Sequence, residues 1–353
     1  MKIKFLTILF IAVITGSVSV AQTYTVLARP ANSKFWGFAN EKGDMIIPAQ
    51  YEKVYSFSPS GYATVYDKKQ RQYIFIDIKG QKLETEIASF KIQDGFGFMV
   101  EGFVDGLIAI KVGDKWGYLN SNGKLAIAAK YDDANEFSGG YATAKDGFNY
   151  VVLDTKGNES RVEGNGIIDV KKFSENLAPY RDGNKLFGFI GTDGKIVINA
   201  QFESVGYFNN GIAWAKTVGN QVGYINPQGD WVIQPQFAAG KNFDASTGLG
   251  RVKTADGRWA YVNKTGDLTF VNDTETWGDF SEGLADGKKG DKRGFYDATG
   301  KWVITPQFDG VRDFKNGYAA AKVGKMWGMI DKTGQWVIQP NFLGIKDMEV
   351  FTR

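Results

Sequence analysis

The 353 residues include no cysteine and no histidine. The missing cysteine excludes disulfides, thiolate nucleophiles and a cysteine-borne lipid anchor. Both absences together exclude Ser-His-Asp and Cys-His catalysis and the usual zinc sites. Proline is scarce, at 8 residues, and neither sign of charge dominates: 42 Lys and Arg face 39 Asp and Glu, a formal +3. A chain this close to neutral lacks the basic stripe of a nucleic-acid binder, so no nucleic-acid partner is expected. Long apolar runs are missing as well. The run at the N-terminus, Phe5–Ile14, is ten residues, about half of what a helical span needs.

That run follows Lys2 and Lys4 and precedes Ser19-Val20-Ala21, which puts small residues at the −3 and −1 positions before Gln22. A charged start, a short apolar stretch and small residues at a cleavage point make a secretory signal peptide. Residues 1–21 are therefore expected to be removed, leaving 22–353 as one exported β domain, periplasmic or extracellular, with no membrane span. Without Lys2 and Lys4 the balance is 40 basic against 39 acidic residues, or +1. A chain of this size buries enough surface to dispense with disulfides.

What is plentiful is glycine, at 44 residues, and it is periodic. Turn-closing glycines recur at Gly43, Gly80, Gly123, Gly157, Gly194, Gly229, Gly266, Gly300 and Gly334, with spacings of 34 to 43 residues. They define nine units. Seven residues before each glycine stands Trp36, Tyr73, Trp116, Tyr150, Phe187, Val222, Trp259, Arg293 or Trp327. A further glycine follows in most units: Gly37, Gly117, Gly188, Gly223, Gly294 and Gly328. Ile74, Val151 and Ala260 replace it in the second, fourth and seventh.

Each unit reads as β structure. Runs such as Val222-Gly223-Tyr224-Ile225 are strand formers. The following Asn or Asp, two polar residues and Gly are the signature of a type I turn. The returning segment alternates, as in Trp231, Ile233, Pro235 and Phe237, which is a half-buried strand. A turn marked by Phe, as in Phe314-Lys315-Asn316-Gly317, precedes a further strand such as Tyr318-Ala319-Ala320-Ala321. The reading is an antiparallel three-stranded meander per unit.

The W-G-[FYM]-[AIL]-[ND]-x-x-G-x-[WLM]-[VI]-I-x-[PA]-[QN]-[FY] pattern resembles the WG repeat (KWG repeat) family of bacterial proteins, over essentially the whole mature chain. The resemblance implies a β-repeat scaffold and specifies no activity.

The predicted fold is all-β: about nine tandem antiparallel meanders of 34–43 residues forming a curved open array, since single units cannot bury their apolar faces alone. The alternative is a closed propeller-like ring in which the lone N-terminal strand Tyr24–Ala28 completes the last unit. Three strands per unit and nine units both fall outside the usual propeller pattern. One spacing is long, and its surplus is assigned to Glu86–Gly102, an insertion loop containing Phe96 and Phe98.

No catalytic residues, metal or cofactor are assigned. Asp132, Asp133 and Glu136 illustrate carboxylates that a glycosidase would need in a facing pair, but acidic turn residues are ordinary. Asp77, Asp154, Asp297 and Asp331 each stand alone at a turn start, where Asp serves the turn. The recurrent Trp residues, replaced by other apolar residues in some units, read as core between units. One slot differs. In the middle of the strand after the Phe turn the units carry Thr64, Ala109, Thr143, Pro179, Trp214, Arg251, Asp286 and Ala320. Alternation sets this slot opposite the recurrent Ala, hence towards solvent. Trp214, Arg251 and Asp286 would then share one surface with the composition of a binding hot spot. Phe96 and Phe98 are a second candidate.

The functional expectation is an exported, non-enzymatic repeat scaffold that binds a protein partner in the cell envelope. The alternatives are a glycan-binding module and a carboxylate-dependent glycan hydrolase.

Overall fold

The computed structural model describes residues 22–93 and 102–352. Phe96 and Phe98 lie outside the described residues, as do residues 1–21. Regular structure among the described residues is β strand throughout, and no helix there is long and apolar enough to cross a membrane. The all-β tandem architecture is as expected: small antiparallel sheets follow one another along the chain, and no barrel forms among the described residues.

Each regular unit has four strand positions, one more than alternation reveals. In the sixth unit they are Ser204–Val205, Ala213–Lys216, Val222–Ile225 and Trp231–Phe237, hydrogen-bonded in that order. The extra first strand is two residues long here, too short to leave a period-two pattern. One residue, Glu203, separates it from the fourth strand of the fifth unit, Ile196–Phe202.

The turns form as expected. Gly229 N–H donates to the Asn226 carbonyl at 2.9 Å, and Asn226 Oδ1 accepts the Gln228 and Asp230 N–H groups at 3.0 and 2.9 Å. Gly229 has φ +89°, a left-handed conformation that glycine adopts without a Cβ penalty. Asp297 and Asp331 use their Oδ1 in the same way.

The glycine after the Trp has a steric cause. In the sixth unit the fourth strand bulges against the third, shifting register between Val222 and Tyr224. The bulge brings the Ile233 carbonyl to 2.5 Å from where a Cβ on Gly223 would sit. The same crowding and register shift occur at Gly37, Gly117, Gly188, Gly294 and Gly328. Fourth strands in those six units belong to segments of at least seven residues. The three units without this glycine lack such a strand. The fourth unit has Glu159–Arg161 and the seventh Leu268–Thr269, both in regular register. The second has only the bridge Ile76–Lys82. There Phe90 stacks on Phe75 at 5.4 Å and, with Ile92, is buried in the core shared with the third unit. So the first part of the surplus segment is core, not loop.

Sheets stack face on face, and the recurrent Phe before each second strand is the key residue. At seven of the nine junctions its ring meets the aromatic ring two residues after the Trp slot of the preceding unit; Val152 and Met329 stand there in the fourth and ninth units. Examples are Phe38–Phe57, Tyr118–Phe137, Phe189–Phe208 and Tyr261–Phe280, with centroids 4.5–4.9 Å apart. Such tilted and edge-on pairs add about 0.5–1.5 kcal/mol to the burial itself. Nine buried apolar clusters occur among the described residues, one for each junction between successive units.

The ninth cluster joins the last unit to the first: Met329, Ile338 and Phe342 pack with Val26, Ala28 and Met348. The strand Gln22–Pro30 lies between Trp36–Ala39 and the C-terminal strand Trp336–Thr352, antiparallel to both. The end of the chain thus supplies the first strand of the first unit. The terminal contact that the ring alternative calls for is present, and the two ends of the array share one sheet.

Candidate binding surface

The fixed Phe determines what its neighbour does. With the ring held in the junction, the residue before it is turned away from the core; in most units this residue lies in the short stretch between the first and second strands. This position holds Ser56, Glu136, Lys172, Tyr207, Asn242, Asp279, Asp313 and Asp347, and each reaches solvent. In the third unit it is Gly102, which is buried. The residue that follows is Phe in eight units and Met348 in the other. A constant anchor therefore carries a variable side chain on one edge of each sheet.

Charged groups converge where the seventh, eighth, ninth and first units meet. Asp313 is crowded by protein although its side chain reaches water. That burial, followed by the carboxylates of Asp286, Asp279 and Asp347, pushes its carboxyl above the usual range, with Arg251 partly offsetting them. Lys346 is held below the usual lysine range by burial and then by Arg312, while Asp347 acts the other way. Arg251 Nε lies 2.8 Å from Asp279 Oδ1, its Nη1 donates to the Trp277 carbonyl, and its guanidinium covers the Trp259 ring at 4.8 Å. Behind this edge the Tyr261 hydroxyl meets the Gly278 carbonyl at 2.6 Å and the Tyr296 hydroxyl at 2.7 Å. Burial, countered by the Tyr261 hydrogen bond, pushes Tyr296 up to about 12.

The expected solvent-facing surface of Trp214, Arg251 and Asp286 needs correction. Their slot faces the next unit. Thr64, Ala109, Thr143, Pro179 and Ala320 are buried there, and Thr143 Oγ1 donates to the Lys171 carbonyl of the following unit at 3.1 Å. Alternation predicts one wet face only for a sheet covered on one side. Here neighbouring sheets cover both. Arg251 and Asp286 are mostly enclosed, with side chains 19% and 17% exposed. Asp286 pairs with Arg293, which stands in the Trp slot of its unit. Arg251 and Asp286 both act on Asp313, so the structure brings these two together.

Trp214 belongs elsewhere. Its indole sits over Gly206, so close that a Cβ there would lie 2.3 Å from Nε1. It packs against the core between the sixth and seventh units. The sixth unit has Val222 in place of the usual aromatic, on the same sheet face two residues along the paired strand. The large residue in one slot accompanies the small one in the other.

Asp279, Asp313 and Asp347 were not singled out in the sequence. Aligning the units on the Phe, rather than on the turn glycine, exposes the variable position before it. Met348 in the place of Phe hides the last case. The illustrative carboxylate Asp132 is engaged in structure: it pairs with Lys115 at 2.5 Å and accepts the Gly147 N–H at 2.7 Å.

A family model described as "WG containing repeat" matches residues 36–68, 116–147, 187–220, 223–259, 294–327 and 327–348. The matches begin at the Trp slot or its glycine in the six units that carry the bulge. No curated protein matches the chain. Among solved structures, the dihydro-heme d1 dehydrogenase NirN in complex with DHE aligns with a TM-score of 0.45 at 12% identity, covering 93% of this chain and 74% of that one. BamB from Moraxella catarrhalis aligns at 0.43 and 12%, covering 80% and 94%. The computationally designed Ika8 protein aligns at 0.40 and 13%, covering 78% and 92%. By its repeated sequence signature this chain belongs to the WG-containing-repeat family.

Proposed function

We propose that the protein is an exported, non-enzymatic scaffold that holds a protein partner in the cell envelope through the edge that carries the residue before each recurrent Phe. The observation that carries this reading is the contrast on that edge between a constant Phe and the changing residue before it. Repeat arrays use such positions to vary specificity without disturbing the frame. Asp279, Asp313 and Asp347 form the charged part of the surface, with the mostly enclosed Arg251 and Asp286 packed beside them. Export rests on the signal-peptide pattern of residues 1–21.

The test is affinity capture from the envelope fraction of the source cell, using the mature chain beside an Asp313→Asn/Asp347→Asn variant. Both substitutions are at solvent-reaching positions, so the fold is expected to survive. A protein held by the wild type and lost by the variant supports the reading. Equal recovery by both removes this edge as the surface. Mass measurement of the chain purified from that fraction tests export: a chain beginning at Gln22 supports it, and an intact Met1 contradicts it.

A further inference from the structure

The fourth unit departs from the others in two ways that meet at one place. Its fourth strand is only Glu159–Arg161, so the flank that six other units cover with a long strand is left open. Residues Val162 to Gly166 pass beside it and leave a recess of about 150 Å3, lined by Asn149, Tyr150, Arg161, Asn165 and Ile167 with Phe148 at its mouth. The second departure is Phe148 itself. It follows the hairpin glycine Gly147 and is 100% exposed. The residue after the corresponding glycine is Asp114, Asp291 or Lys325 in the third, eighth and ninth units. A phenyl ring wholly in water, where sister turns carry polar groups, leaves both its faces available.

The groups behind it are planar and polar. Arg161 Nη2 donates to Asn149 Oδ1 at 2.7 Å, which holds the guanidinium beside the amide and leaves the Asn149 amide N–H donors outside that bond. Asn165 is exposed on the glycine-flanked loop across the recess. Tyr150 is anchored by its hydroxyl to the Ile168 carbonyl at 2.7 Å, so its half-buried ring forms a fixed wall. Amides and a guanidinium supply donors and acceptors in fixed planes. A flat aromatic face supplies the apolar contact. The ligand class that presents both an apolar C–H face and a ring of hydroxyls is a sugar.

We propose that this recess binds one sugar ring of a neutral glycan, stacked on Phe148 and hydrogen-bonded by Asn149, Arg161 and Asn165. The site is separate from the edge proposed for the protein partner and does not depend on it. Binding is tested by probing the mature protein on an array of neutral oligosaccharides, then titrating the best-retained glycan by calorimetry against Phe148→Ala and Phe148→Trp. Because Phe148 makes no buried contact, both variants are expected to keep the wild-type melting temperature. The expected result is at least a tenfold loss of affinity for Phe148→Ala and recovery with Phe148→Trp. No glycan retained above a control protein overturns the proposal, and so does equal retention by Phe148→Ala.

Discussion

The sixth and seventh units are neighbours with matching faces and different edges. Tyr224 meets Phe243 at 4.9 Å, and Tyr261 meets Phe280 at 4.5 Å. In both, the Tyr hydroxyl also bonds the carbonyl two residues before that Phe, Lys241 at 3.0 Å and Gly278 at 2.6 Å. Yet the sixth unit has Gly223 and a seven-residue bulged fourth strand, whereas the seventh has Ala260 and a two-residue one. The difference teaches that cohesion resides in the faces and that the edges are free to change.

Breaking a face should cost most. Phe243→Ala removes a buried ring from the junction of these two units and is expected to lower stability by about 4 kcal/mol, read by denaturant unfolding. A loss under about 1 kcal/mol would separate the rings from cohesion. Next comes the edge glycine. A Cβ at Gly223 meets backbone on a bulge that cannot retreat, so Gly223→Ala should cost about 3 kcal/mol. The reverse change in the seventh unit, Ala260→Gly, meets no bulge and should cost about 1–2 kcal/mol, through chain entropy and the lost burial of one methyl group. Equal effects from the two would refute the steric account of the glycine.

The smallest effect concerns charge. Asp313 has its folded pKa raised, by burial and then by Asp286, Asp279 and Asp347. A carboxyl raised in the folded state disfavours folding when ionised, and that penalty fades as pH falls through its folded pKa. Asp313→Asn should therefore raise the melting temperature by about 1–2 °C at pH 7, and the gain should shrink on acidification. An unchanged or lowered melting temperature at pH 7 would contradict the crowding of carboxylates around it.

Much of the fold was legible because glycine and Asn or Asp are forced by backbone conformation at the turns. Gly229 at φ +89° is such a case. The first strand was not legible, because Ser204–Val205 is too short to show a period. The orientation of the Trp214, Arg251 and Asp286 slot was misread for a different reason: alternation separates two faces but says nothing of what covers each. The compensation of Trp214 for Val222 and the convergence of Asp279, Asp313 and Asp347 depend on packing between units. Only the variable position before the Phe was there to be read.

A stack held by its faces requires every junction to be cohesive, the terminal one between Gln22–Pro30 and Trp336–Thr352 included. Hydrogen–deuterium exchange of the chain from Gln22 onward tests this directly. Amides of Tyr24–Val26 and of Ile345–Val350 should be protected to the same degree as those of an interior strand such as Val222–Ile225. Exchange of the terminal strands at the rate of frayed ends, with the interior protected, would contradict it.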